Sequence, residues 1–260
     1  MCVINGQYVS REEYIRIKEM QKEWKDYEHF NIAVNHGYAY GNTTVLRATA
    51  DKSDFEILQM EWGFIPSHLL NRDEAAAYRR QYMTLNARGE EMLQPRKTYR
   101  DAALNRRCLI LSSGYSESRH VYRFKKNGER LKTPDTYPYK IKIAGAPYFY
   151  MAGIWNPWTD RETGETVNTV AMVTAPANDL LKQIHNSMKR MPVILNDIQA
   201  YEWIFDDLTE EQITKLAGTR VSSRDLDYFT IAKEFRKAGD MDMPFEYNGL
   251  PPVDEALIMD

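Results

Sequence analysis

Between residues 10 and 29 the apolar positions Tyr14, Ile17, Met20, Trp24 and Tyr27 recur every three or four residues. That period predicts an amphipathic helix, opened by Ser10 and Glu13 as a capping box. Beyond it the pattern shortens to runs rich in β-branched and aromatic residues, at 43–49, 55–64, 107–111, 121–125, 139–143, 148–155 and 167–174. These predict strands. Gly- and Asn-bearing clusters between them, HGYAYGN, KKNGE and IAGAP, supply turn chemistry and favour antiparallel hairpins over parallel crossovers. Helical spacing returns at 178–184, 197–205 and 210–216, the last preceded by Thr209 and Gln212 as a capping box. The expected fold is α+β, with a curved, mostly antiparallel, barrel-like β core and peripheral helices. Residues 1–235 are expected to form a single domain, and 236–260 a tail lying on its surface.

The 260 residues, 43% of them hydrophobic, suffice for a substantial core. The longest apolar stretches are as short as 191–195, far below a spanning helix, and no secretory signal opens the chain, so a soluble cytoplasmic protein is expected. Two cysteines, Cys2 and Cys108, exclude a disulfide framework and give no basis for a metal site. The net charge of −3 conceals segregation: from Arg79 to Lys132, fourteen basic residues face five acids. Tyr82, Tyr99, Tyr115, Tyr122 and Phe124 lie among those cations. This composition suits phosphate neutralisation with base stacking, and equally a solvated face whose rings point inward.

The chemistry concentrates in a few side chains. Removal of Met1 would leave Cys2 as a terminal 1,2-aminothiol, whose amine and thiol together suit an aldehyde: imine formation, then closure to a thiazolidine. A second-position cysteine can also be an accident of the start site. Glu117, after the apolar run RCLIL and beside Gly114, is placed for a raised carboxyl pKa and acid/base work, or for an ordinary turn. His185, next to Lys189 and Arg190, is expected to titrate low because of these cations, or to be a packed core imidazole. Asn86 and Arg88, in TLNARGEEM, offer an orienting amide and a phosphate-binding guanidinium.

Cys2, EWGFIP, LNAR, SGYSES, TAPAN, IH and RMPVIL follow one another over residues 2–195. This order resembles the SRAP (SOS-response-associated peptidase) family, whose members protect abasic sites in single-stranded DNA. The resemblance implies Cys2 as covalent nucleophile, Asn86 as its orienting partner, and Glu117 and His185 as acid/base groups. It implies DNA contact through Arg88, to which Arg119, Arg123 and Arg190 are added as further candidate DNA-binding residues. The implied protein is a monomer, nucleoid-associated, that crosslinks to abasic single-stranded DNA without metal or organic cofactor, with lyase or peptidase side activity. The family's Cys-Gly-Arg start is here Cys2-Val3-Ile4, Ser118 stands where a Trp usually follows the glutamate, and three extra residues separate His185 from Arg190. These departures predict an altered DNA-gripping rim, compensated by Arg119, His120 and Arg123. A thiol peptidase using Cys2, His185 and Asn86, possibly self-processing, and a non-covalent single-strand binder are the competing readings.

Overall fold

A computed structural model describes residues 2–7, 14–17, 20–23 and 32–260. In chain order the strands and helices begin with β1 (Ile4–Gln7), β2 (Tyr14–Ile17), β3 (Met20–Glu23), β4 (Ile32–His36), β5 (Asn42–Ala48) and β6 (Phe55–Trp62). Next come α1 (Arg72–Gln81), β7 (Asn86–Arg88), α2 (Arg100–Asn105), β8 (Arg107–Ser112), β9 (Gly114–Val121) and β10 (Asp135–Ile143). The long strands β11 (Phe149–Thr159) and β12 (Thr166–Pro176) precede α3 (Asp179–Ile184), β13 (Arg190–Pro192) and β14 (Ile194–Leu195). The chain closes through α4 (Asp197–Phe205), α5 (Glu210–Ala217), β15 (Leu226–Thr230) and the short α6 (Phe235–Ala238).

Five strands close on themselves in the order β12-β6-β5-β8-β11, with β11 pairing back to β12. Every pairing in this barrel is antiparallel except β6 with β12, which run parallel through Glu61 and Trp62. Closure leaves no free edge within the ring. Its strands are apolar on both faces. On β8, Leu109 and Leu111 pack with Trp203 of α4 and Ile213 of α5, while Cys108 and Ile110 pack with Tyr115 and Ile141 of the second sheet. That second sheet is wholly antiparallel, in the order β15-β10-β9-β1-β4. The α+β class and the barrel-like core expected from the sequence are therefore present.

The two layers are fastened by polar side chains of β1. Gln7 donates to the carbonyls of Thr44 (3.0 Å) and Leu111 (2.8 Å) and accepts from Thr44 N–H (3.0 Å), all inside the protein. Asn5 adds a bond to the Leu111 carbonyl at 3.0 Å. Gly114 opens β9 at φ +155°, a backbone conformation that residues with a side chain rarely adopt.

Several expectations are corrected. In place of a helix over 10–29, the described parts of that segment form the hairpin β2–β3, with Tyr14 opposite Glu23 and Ile17 opposite Met20. Ile15 and Ile17 also satisfy strand alternation, and over so short a span the two periods are hard to separate. The expected cap residues Ser10 and Glu13 lie outside the described residues. The strand expected at 121–125 ends at Val121; after it the chain turns, with Gly128 at φ +82° and a single bridge between Phe124 and Arg130. The same strand begins earlier than its hydrophobicity suggests, because Ser116, Glu117, Ser118 and Arg119 occupy it. Helix α1 has no apolar stripe in RDEAAAYRRQ to announce it; Asn71 caps it by accepting from Glu74 N–H at 2.9 Å. The helices at 178–184, 197–205 and 210–216 are present, and Thr209 with Gln212 forms the expected capping box.

Candidate active site

Cys2 lies immediately before β1, and β1 runs antiparallel to β9 with Asn5 opposite Tyr115. This pairing sets the thiol beside the strand that bears Glu117. Glu117 is thus the fourth residue of a central strand, not a turn residue, and shares a face of β9 with Tyr115 by the period of two. His185 terminates α3, a helix capped by Asn178 accepting from Leu181 N–H at 2.8 Å and packed on β9. Cys2, Glu117 and His185 are all buried, Cys2 with 1% of its surface exposed.

His185 Nε2 stands 3.5 Å from Glu117 Oε2, and His185 Nδ1 is 2.8 Å from the carbonyl oxygen of Arg190. A carbonyl only accepts, so Nδ1 bears the proton and Nε2 of a neutral ring presents its lone pair to Glu117. Burial raises the Glu117 carboxyl to about 7, and burial lowers His185 to about 4, ahead of the smaller push from the Arg190 cation. The depression expected from neighbouring cations thus has desolvation as its main cause. At neutral pH the pair holds a neutral imidazole and a carboxyl poised between its two forms. Burial, with the Glu117 carboxylate second, keeps the Cys2 thiol well above its usual range; the thiol leans on the Ile4 carbonyl at 4.0 Å. Glu117 Oε1 and the Tyr115 hydroxyl, both buried, have no hydrogen-bond partner among the described residues.

Arg190 links this line to a neighbouring cavity of about 320 Å³ that Asn86, Arg88, Thr174 and Arg190 help line. Asn86 and Arg88 are brought there by β7, which runs parallel to β12 with Arg88 beside Thr174. Gly63, in EWGFIP, has φ +137° and leaves room for the Tyr40 ring, which a Cβ would meet at 2.5 Å. Asn86 is 7% exposed, and its buried amide is bonded to no described residue, Cys2 included. The larger cavity, about 690 Å³ beside Phe149 and Leu195, contains none of the expected site residues.

The four expected DNA-contacting arginines all have partners. Arg88 pairs with Glu91 at 2.9 Å, Arg123 with Asp135 at 2.9 Å, and Arg119 donates to the Pro251 carbonyl at 2.7 Å. Arg190 is largely buried, paired with Glu90 through both guanidinium nitrogens and donating to the Thr174 carbonyl at 2.7 Å. His120 is held by its backbone, giving N–H to Asn186 (2.9 Å) and accepting from the Asn186 amide (2.8 Å). Asn186 belongs to the lengthened stretch between His185 and Arg190, so that stretch is tied to the Glu117 strand. Tyr115, read from the sequence only as an aromatic of the basic segment, and Glu90, only as one of its acids, both lie against the site. The alternation of Tyr115 with Glu117 would have exposed the first, had the polar run been recognised as a strand.

A thiol, a carboxyl and an imidazole are thus buried together, with Glu117 between the influence of Cys2 and the His185 ring. The chain belongs to the SOS response associated peptidase (SRAP) family, whose model matches residues 1–238. It is 27% identical over 192 residues to "Abasic site processing protein YoqW" of Bacillus subtilis, covering 74% of this chain and 73% of that protein. It is 24% identical over 214 residues to "Abasic site processing protein HMCES" of Gallus gallus, covering 76% of this chain and 62% of that protein. A crystal structure of a Bacteroides thetaiotaomicron protein superposes with a TM-score of 0.68 at 25% identity, covering 81% of this chain and 83% of that one. One from Bordetella bronchiseptica has the same fold, with a TM-score of 0.64 at 19% identity, covering 89% and 100%.

Proposed function

We propose that this protein processes abasic sites by covalent capture in single-stranded DNA, through Cys2 once Met1 has been removed. The names of its relatives supply the substrate class, and the buried line of Cys2, Glu117 and His185 is the observation that carries the chemistry. A ring-opened abasic deoxyribose presents an aldehyde. The Cys2 amine adds to its carbon, the oxygen takes a proton, and loss of that oxygen as water leaves an imine. The thiol then adds to the imine carbon while its proton passes to nitrogen, closing a thiazolidine. Glu117, half-protonated near pH 7, gives the proton that water departure needs, recovers one from the iminium nitrogen, and relays the thiol's proton to that nitrogen as the ring closes. His185, neutral at the same pH, takes the proton of the sugar hydroxyl as the ring opens. An imine that fails to close can instead undergo elimination at the sugar, a minor lyase reaction.

The peptidase reading asks His185 to activate Cys2 directly. Here its Nδ1 is committed to the Arg190 carbonyl and its Nε2 faces Glu117, which favours Glu117 as the thiol's proton partner. Denaturing electrophoresis of the Met-trimmed protein with single-stranded DNA holding one abasic site tests the proposal. A shifted band is expected that requires both Cys2 and the abasic site. Its absence, with Met1 loss confirmed by mass spectrometry, would overturn capture, as would a band that persists in Cys2→Ala.

A further inference from the structure

Three weakly acidic groups gather in the interior beside the barrel, and the capture chemistry leaves one of them, the Tyr115 phenol, unused. Tyr115 is fully buried, in one apolar cluster with Cys2, Tyr139 and Ile141, and its ring meets the Phe149 ring edge-on with centroids 6.5 Å apart. A phenylalanine would fill that space equally well. The hydroxyl has given up its water and receives no bond from the described residues, a cost that core packing does not explain.

Two residues along β9 stands the complementary deficit. Glu117 shares a strand face with Tyr115, is buried, and its Oε1 accepts from no described residue, while its Oε2 faces the His185 ring. The titratable groups around this carboxyl are Cys2 ahead of β1, Tyr115 on its own strand, Tyr139 directly opposite on β10, and His185 from α3. Beyond the ring, the Arg190 charge is paired with Glu90. The Cys2 thiol leans on the Ile4 carbonyl and is kept protonated by burial. Tyr115 alone among these brings a buried O–H without an acceptor.

The charge that comes and goes at neutral pH is therefore the carboxylate. When Glu117 passes its proton to the departing hydroxyl, the carbon–oxygen bond breaks and water leaves. The O–H bonding pair stays on the carboxyl as a negative charge in the interior. The Tyr115 phenol is held well above its usual pKa by burial, so it keeps its proton and acts as a donor. A donor binds a carboxylate more strongly than a neutral acid, so such a bond tightens as the proton leaves and lowers the barrier to that step.

We propose that Tyr115 is a positioning residue for capture, whose hydroxyl donates to Glu117 Oε1 as the carboxylate forms and holds that charge until a proton returns. The inference rests on the abasic-site reading and adds to it the group that steadies its acid.

Tyr115→Phe removes one oxygen and keeps the ring. In the Met-trimmed protein it is expected to slow capture of abasic single-stranded DNA by roughly 10- to 100-fold. The limb near pH 7 in the rate profile moves to higher pH, because loss of the donor disfavours the carboxylate. Carboxyl-carbon NMR of Glu117, assigned with Glu117→Gln, follows the same titration without DNA and is expected to show the same upward displacement. The urea midpoint at pH 5, where Glu117 is protonated, is expected to be no lower than that of the parent. A limb and a carboxyl titration both unchanged in Tyr115→Phe would overturn the role. So would a lower midpoint at pH 5 with unchanged capture, which would place the hydroxyl on the unpaired Oδ1 of Asn5, opposite it on β1. A displaced titration without any covalent band in the parent sinks the capture reading alone, and a normal band with an undisplaced titration sinks the Tyr115 role alone.

Discussion

Burial lifts the Glu117 carboxyl to about 7 and lowers the His185 imidazole to about 4, and each shift is also a stability term of definite sign. For Glu117 the folded protein prefers the neutral acid. The contribution is fully present below the ordinary value near 4.5 and is lost as pH rises through about 7. For His185 the folded protein prefers the neutral base, so its contribution is present above about 6.5 and is lost as pH falls through about 4. Glu117→Gln is therefore expected to stabilise the protein by about 2 kcal/mol at pH 8 and to give no gain at pH 4, read from urea midpoints at the two pH values. The same variant should slow capture by about 10²-fold or more and abolish the limb near pH 7 in the rate profile. A limb unchanged in Glu117→Gln would move the acid/base role elsewhere. Cys2, Glu117 and His185 stood out in the sequence as candidates through the order of motifs that resembles a known family, because each taken alone also had an ordinary structural reading. The directions of the Glu117 and His185 shifts were expected there too, whereas the main cause of the His185 shift was not, since it is burial by segments far apart in the chain.

Strand β1 joins Cys2 to the barrel, and its hold is the Gln7 side chain. Gln7→Ala removes one hydrogen bond from each of the Thr44 N–H, the Thr44 carbonyl and the Leu111 carbonyl in the interior and opens a cavity. A loss of about 3 kcal/mol is expected in chemical denaturation, together with slower capture as Cys2 loses its anchorage. Equal stability would show that the layers are held by apolar contact alone. The strands at 43–49, 55–64 and 167–174 could be read from hydrophobic runs because barrel strands are apolar on both faces. Strand β9 could not, since its site-facing and solvent-facing positions are both polar in part. Helix α1 was invisible to the same method, since ion pairs to Glu61 and the Asn71 cap hold it in place of a buried stripe.

Across the whole molecule, the basic excess between Arg79 and Lys132 is partly neutralised by its own folding. Arg106 pairs with Asp101, Lys125 with Glu129, and Arg100 with Glu210 from outside the segment. The end of the chain joins in. Pro251 accepts from Arg119, Gln183 on α3 exchanges two bonds with the Asp254 backbone, and Asp260 accepts from Ser222 and Ser223. We propose that residues 236–260 act as a surface strap across Arg119 and the helix that ends in His185. A chain ending at Leu250 is expected to melt several degrees lower. Its single-strand affinity should fall more steeply with salt, by a slope of about one, as Arg119 becomes free for phosphate. Titration against salt decides this, and Arg119→Ala in the shortened chain should cancel the change. By itself the sequence determined the α+β class, the long barrel strands and the candidates for the reactive side chains, because hydrophobic period and motif order are local properties. Only the tertiary structure decided which side chains meet, which cations remain available, and which protons sit where near neutral pH. Those depend on burial and distance between segments as remote as Cys2, Glu117 and His185, which no local pattern encodes.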